Sequence, residues 1–305
     1  MKKKLLALGL TLVMAMGVFA GCGNTETTTN ENNTEVSDET SLDYDKVIVG
    51  LDDTFAPMGF RDENGELTGA DVELAKAASE VIGVPFEFQP IDWSMKETEL
   101  NNGTVDVLWN GYSITDERKE VVNFTDAYLE NRQIVVTMAD SDINTIADLT
   151  DKTVAAQDMS SAVAAIDAKP EIKDTFKELV TFETNDQCLR DLEAGRSDAV
   201  VADEILVKYY ISQKGAEKYK ILEEDFGEEE YGIGVRKDDT ALLNALNEAL
   251  DTLKENGTSK EIGDLLEDGE HGAGSGSPLC HPFRSLGCGR RPCGSGKRRL
   301  EQSPG

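Results

Sequence analysis

Residues 186–213 read DQCLRDLEAGRSDAVVADEILVKYYISQ. Residues 186–194 read as a helix, 199–201 as a short apolar strand and 204–213 as a second helix. Asp203 follows that strand at its carboxyl end, where ligands of open α/β sheets bind. The alternation continues outward from there. Strands are expected at 47–51, 84–88, 105–109, 133–138, 154–156, 179–182 and 231–235, and helices at 70–82, 95–101, 161–168 and 241–256. In 70–82 the apolar stripe is Ala70, Val72, Leu74, Ala75, Ala78 and Val81. Strands alternating with helices predict an α/β chain with mainly parallel sheets. The chain has 305 residues, enough for two ordinary domains or one large one.

The two ends have a different composition. Residues 2–4 are Lys-Lys-Lys, and 5–20 are apolar except for Thr11, a positive region followed by a hydrophobic one as in a secretory leader. It ends Phe19-Ala20-Gly21-Cys22, which resembles a bacterial lipobox, where the cysteine is lipidated and becomes the mature N-terminus. A non-cleaved anchor helix is the other reading. A diacylglyceryl group supplies the two chains that stable anchoring needs. Residues 22–44 are polar and acidic and are expected to be a disordered tether. Residues 269–305 are expected to be a disordered basic tail; in 271–305, Gly, Ser and Pro make up 17 of 35 residues. Cys280, His281, Cys288 and Cys293 lack the paired C-x2-C spacing of a zinc knuckle, so no metal site is expected there. Cys188, alone in the body, is expected to be a buried helix thiol.

Charge excludes several functions. The formal net charge is -29, and residues 22–270 hold 21 of the 30 basic and 58 of the 59 acidic groups. Nucleic acid needs a basic footprint, so it is not an expected partner. The acidic body will not adhere electrostatically to anionic lipid. Both histidines, His271 and His281, lie in the last 35 residues, which removes Ser-His-Asp, Cys-His and His-metal chemistry from the body. There is no G-x-x-x-x-G-K-[ST] loop for nucleotide hydrolysis, and no cofactor is expected.

Three stretches carry a family resemblance: Val49 to Phe60 (VGLDDTFAPMGF), Trp109 to Lys119 (WNGYSITDERK) with Phe124 to Tyr128 (FTDAY), and Asp191 to Asp203 (DLEAGRSDAVVAD). Together, in order and spacing, they resemble the amino-acid-binding proteins that serve ABC importers, the family 3 extracellular solute-binding proteins. The resemblance covers about 45–268. The family usually closes with a Trp- or Phe-containing segment, where this chain runs into its unusual tail. The resemblance implies a two-lobed periplasmic-binding-protein-like type II fold with a two-strand hinge. Lobe one would comprise 45–134 plus 231–268, and lobe two 135–230.

A free amino acid offers a carboxylate and an ammonium on one carbon, and a site that removes both from water must pair both. Arg118 suits the carboxylate, because its planar fork donates two parallel hydrogen bonds; amid Asp116, Glu117, Lys119 and Glu120 it also reads as a solvated charge. The resemblance adds Ser113, through backbone and hydroxyl. Ser160 and Ser161 stand between a strand and a helix, where hydroxyls and free N–H groups attract an anion, and both are also ordinary capping residues. Asp203 is the natural ammonium partner and equally a good N-cap for the next helix. Phe55 and Trp93 resemble positions where the family stacks rings on the ligand side chain; core packing is their other reading. Asp52 either meets a polar or cationic side chain or caps its loop. Asn110 and Tyr112 are further candidates for side-chain recognition.

The expected function is capture of a free, polar amino acid outside the cytoplasm, by closure of two lobes, for an ABC permease and its ATPase. The protein would be held to the membrane through a lipid on Cys22. An enzyme on the same scaffold, of dehydratase or cell-wall-lyase type, is the alternative. It would need a cleft carboxyl group such as Glu229 or Glu230, although the acidic run 223–230 reads more simply as solvated.

Overall fold

The structure is a computed structural model and describes residues 42–271. The expectations for the leader, Cys22, most of the tether and the tail beyond 271 lie outside the described residues. In chain order the first elements are β1 (Val47–Leu51), β2 (Thr54–Phe55), β3 (Gly59–Arg61), β4 (Leu67–Thr68), α1 (Ala70–Ile82), β5 (Phe86–Pro90), α2 (Lys96–Asn101), β6 (Val107–Leu108), α3 (Asp116–Val121) and β7 (Asn123–Phe124). Then come β8 (Leu129–Met138), β9 (Thr153–Gln157), α4 (Ser161–Asp167), α5 (Pro170–Lys173), β10 (Glu178–Phe182), α6 (Asn185–Glu193), β11 (Ala199–Asp203), α7 (Glu204–Lys214) and β12 (Tyr219–Tyr231). The chain returns through β13 (Gly234–Val235), α8 (Thr240–Glu255) and α9 (Thr258–His271). Among the described residues no helix is long and apolar enough to cross a membrane.

Two five-stranded sheets form two α/β lobes. One has the order β5-β1-β6-β13-β7 and the other β10-β9-β11-β8-β12, while β2, β3 and β4 make a small third sheet. The sheets are mixed, not mainly parallel. β1 runs parallel to β5 and β6, and β9 runs parallel to β10 and β11, whereas β13 and β8 run against their neighbours. The βα crossovers inside each lobe give the parallel pairs. β8 and β13, by which the chain enters lobe two and re-enters lobe one, follow no such crossover and lie antiparallel.

Local chemistry explains the main elements. β9 (TVAAQ) and β11 (AVVAD) are buried along their whole length, as expected for central strands covered on both faces. In α8, Leu242, Leu246, Ala249 and Leu253 are buried at the helical repeat and face α1 and α9; Asp239 caps the helix by accepting from the Leu242 N–H at 3.2 Å. α1 starts after Gly69, at φ 127, where an added Cβ would lie 2.3 Å from the Met58 carbonyl oxygen, so the turn admits only glycine. Cys188 is buried in α6, and burial pushes its thiol up to about 12.

β8 and β12 link the lobes. They pair antiparallel from Leu129 opposite Tyr231 to Met138 opposite Tyr219, with register shifts between Ile221 and Gly227. The 231 end is tied to lobe one by a bridge to Ser113 and by the Ile114 N–H donating to the Glu230 carbonyl at 2.8 Å. The acidic run 223–230, expected to be solvated, lies within this 13-residue strand: Leu222, Phe226 and Tyr231 turn inward while Glu223, Glu224, Glu228 and Glu230 face water.

Leu246 has no exposed surface. Leu246→Ala should therefore lower the unfolding free energy by about 2–5 kcal/mol, read from the denaturant midpoint at unchanged m-value.

Candidate ligand-binding cleft

Strand ends from both lobes converge on one small space. Asp52, Phe55, Trp93, Asn110, Gly111 and Arg118 line it from one side, and Gln157, Ser160, Ser161 and Asp203 from the other.

Arg118 sits in α3, whose N-cap Thr115 accepts from the Arg118 N–H at 3.1 Å. The guanidinium is only 9% exposed, so it is not a solvated surface charge. Its Nη1 donates to the Ser113 carbonyl at 2.9 Å, and its carbon stands 4.6 Å from the centroid of the Tyr112 ring. The one carboxylate paired with it is that of Glu97, 3.8 Å from Nε. Glu97 also accepts from the Tyr112 hydroxyl at 2.9 Å. Nη2 carries no bond to any described residue and remains available to an anion in the cleft.

Asp203 is 4% exposed. It occupies the N-cap position of α7 but makes no side-chain cap bond. Its Oδ1 instead accepts from Asn131 Nδ2 and Gln133 Nε2, each at 2.9 Å, and from the Tyr231 hydroxyl at 2.7 Å. The same two amide nitrogens donate to Glu229 Oε1, at 2.6 and 2.8 Å. Neither carboxylate has a basic partner among the described residues. Burial, then the neighbouring Glu229 charge, raises the Asp203 carboxyl well above its ordinary value. Asp203 is thus a buried acid beside a second acid, with no basic counter-charge among the described residues.

Asp52 does two jobs. Oδ1 accepts from the Thr54 N–H at 2.9 Å and hydroxyl at 2.6 Å and so caps its loop, while Oδ2 accepts from Gln157 Nε2 of the other lobe at 2.8 Å. Burial raises its carboxyl pKa. Asn110 accepts from the Asp52 N–H at 3.1 Å, and its own amide nitrogen is buried without a partner. Ser160 caps α4 by accepting from the Val163 N–H at 3.5 Å. The Ser161 hydroxyl bonds the Ser113 hydroxyl at 3.0 Å and accepts from Gln133 at 3.1 Å.

Of the residues picked out in the sequence, Tyr112 and Ser113 do not line the space. Tyr112 is fully buried behind Arg118, its ring stacked on Phe124 with centroids 4.9 Å apart, and Ser113 holds Arg118 through its carbonyl. Gln157 and Gly111 were missed, and Glu229 was picked out only as a carboxyl group for the enzyme alternative. Gln157 ends β9 just as Asp203 ends β11, so the carboxyl-end rule reaches it as well. Gly111 has φ 57, and an added Cβ would stand 2.7 Å from the Phe55 ring. Its N–H donates to Asp71 Oδ2 at 2.7 Å.

The family of bacterial extracellular solute-binding proteins, family 3, matches residues 47–264. The chain belongs to this family. Among relatives of this solute-binding protein, the probable amino-acid-binding protein YxeM of Bacillus subtilis (strain 168) is 32% identical over 258 residues, 83% of this chain and 91% of YxeM. An ABC uptake transporter substrate-binding protein from Streptococcus pneumoniae, solved with bound histidine, superposes with a TM-score of 0.71 at 39% identity, covering 73% of this chain and 92% of that one. An ancestral arginine-binding protein bound to arginine gives a TM-score of 0.69 at 37% identity, covering 73% and 98%.

Asp71 beneath the cleft gives a pH prediction. Burial lifts its carboxyl from 3.8 to about 7. The folded state therefore holds a proton that the unfolded chain releases near pH 4, so the penalty from Asp71 grows from about pH 4 to pH 7 and is constant above. Asp71→Asn should gain stability relative to the wild type across that window and keep a fixed advantage at higher pH, measured by urea unfolding at successive pH values.

Proposed function

We propose that this solute-binding protein captures a free amino acid with a polar, preferably cationic, side chain outside the cytoplasm and delivers it to an ABC permease with its ATPase. The observation that carries the reading is the pairing of poles on one small space: Arg118 with an open donor edge, and Asp203 with no basic partner. The ligand carboxylate lies on Arg118, which the Ser113 carbonyl holds, with Ser160 and Ser161 around it, and the ammonium lies on Asp203. Asp52 meets the side chain, flanked by Asn110 and between the rings of Phe55 and Trp93, whose faces favour a cation. Tyr112 supports Arg118 from behind. Lobe one, 45–134 with 231–268, closes on lobe two, 135–230, because the ligand touches both only when they meet. Cys22 carries the lipid that keeps the protein at the membrane, with 22–44 as its leash.

The test is a thermal-shift screen against the twenty amino acids and cystine. A ligand at 100 times its Kd stabilises by about 2.7 kcal/mol, a rise of roughly 5–10 °C for a domain of this size. L-Arginine, L-lysine and L-histidine should lead. Arg118→Ala should cost about 2–5 kcal/mol of binding, as removal of one partner from a buried charge pair does, and a retained response would unseat the assignment. Silence from every amino acid, with turnover of a prephenate-like or glycan substrate, would favour the enzyme, in which Asp203 or Glu229 supplies the proton.

Cys22→Ser should move the protein from the membrane to the soluble fraction and abolish labelling by palmitate in growing cells; membrane retention in the variant would favour a non-cleaved anchor.

A further inference from the structure

Lys96 opens α2 in lobe one and is 1% exposed, an expensive place for an ammonium group unless it is paired. Its Nζ donates across the cleft to the Met159 carbonyl of lobe two at 2.8 Å. It also donates to the Trp93 carbonyl at 3.2 Å, lies 3.3 Å from Glu97 Oε2 and stands 5.4 Å from the centroid of the Trp93 ring. Met159 sits in the turn between β9 and α4, directly before Ser160 and Ser161. Two other side-chain bonds across the cleft, Gln157 to Asp52 and Ser161 to Ser113, join a carboxylate to an amide and a hydroxyl to a hydroxyl. Beside those two, the Lys96 bond brings a cation, and a charged donor makes the stronger hydrogen bond.

We propose that Lys96 is a closure latch controlled by the ligand: it ties the β9–α4 turn to lobe one only while charged, and a ligand carboxylate arriving at Arg118 strengthens it. The inference rests on the reading of Arg118 as the carboxylate pole. The charged groups facing Lys96 are Arg118 from α3, Glu97 on its own helix and Asp158 from the turn. Arg118 opposes the Lys96 charge, while Glu97 and Asp158 favour it. Burial first, then Arg118, lowers the Lys96 ammonium from 10.5 to about 8. An anion on Arg118 offsets that repulsion, so binding draws Lys96 back toward its charged form. The sign follows: Lys96 is charged well below pH 8, half charged near it and neutral above, so the latch weakens as pH rises through that value, and a ligand carboxylate on Arg118 shifts the change to higher pH.

The experiment measures L-arginine binding to the full chain by stopped flow between pH 6.5 and 9.5, for the wild type, Lys96→Met and Lys96→Arg. Lys96→Met keeps the apolar stem and removes the charge. Loss of one charge-assisted bond predicts dissociation about 10- to 100-fold faster at pH 7. The ratio of wild-type to Lys96→Met affinity, in which titration of L-arginine itself cancels, should fall toward one as pH rises past 8. Lys96→Arg should retain slow dissociation and lose the pH dependence near 8. A ratio independent of pH, or equal dissociation rates, overturns the latch. Failure of the wild type to bind L-arginine or any other amino acid refutes the proposed function instead. The latch is then judged by small-angle scattering of the same proteins: expansion of Lys96→Met beyond the wild type at pH 7 supports it, and identical curves overturn it. Circular dichroism melts confirm that each variant is folded.

Discussion

A charge removed from water must find an opposite charge or enough dipoles, and the cleft gives neither of its poles a full complement. Asp203 has three neutral donors and no cation, while Arg118 has a ring behind it, a carbonyl on one nitrogen and a carboxylate at 3.8 Å. The two poles come from different lobes. On the proposed function, a small zwitterion meets both poles from between the lobes.

The fold supplies this geometry through strand ends. β1 ends just before Asp52, β6 just before Trp109 and Asn110, β9 with Gln157 and β11 with Asp203. Parallel strands fed by crossover helices put all their carboxyl ends on one edge, and the edges of the two sheets oppose each other. Behind them the backbone is locked: Asp71 holds the Gly111 N–H, and no side chain fits at Gly111 beside Phe55. Rigid strand ends hold polar groups more accurately than loops do, which suits a site that must pair two charges at fixed separation.

Much of this was legible in the sequence where one periodicity dominates. α1 and α8 carry clean helical stripes, and β1, β9 and β11 are short apolar runs between turn residues, so their existence followed from pattern alone. β12 did not, because its exposed positions are carboxylates and its few buried ones, Leu222, Phe226 and Tyr231, are broken by register shifts that defeat a period of two. β2, β3 and β4 are two or three residues long and leave no periodic trace. In the cleft, charged and aromatic residues near strand ends stood out, whereas Gln157 is an unremarkable amide in sequence and acquires meaning only when Asp52 is brought opposite it. Glu229 stood out only together with Glu230 within an acidic run, since one glutamate among several carries no mark of the side it faces.

The strands that join the lobes are also the strands that solvate Asp203. Asn131 and Gln133 stand on β8, and Glu229 and Tyr231 on β12, so every hydrogen bond to that carboxylate comes from the bending element itself. Flexing the pair therefore rearranges the dielectric surroundings of the binding carboxylate without passing through intervening side chains. On the proposed function, the pivot and the electrostatic detector are one piece of backbone, and occupancy is converted into shape at the place where shape is decided.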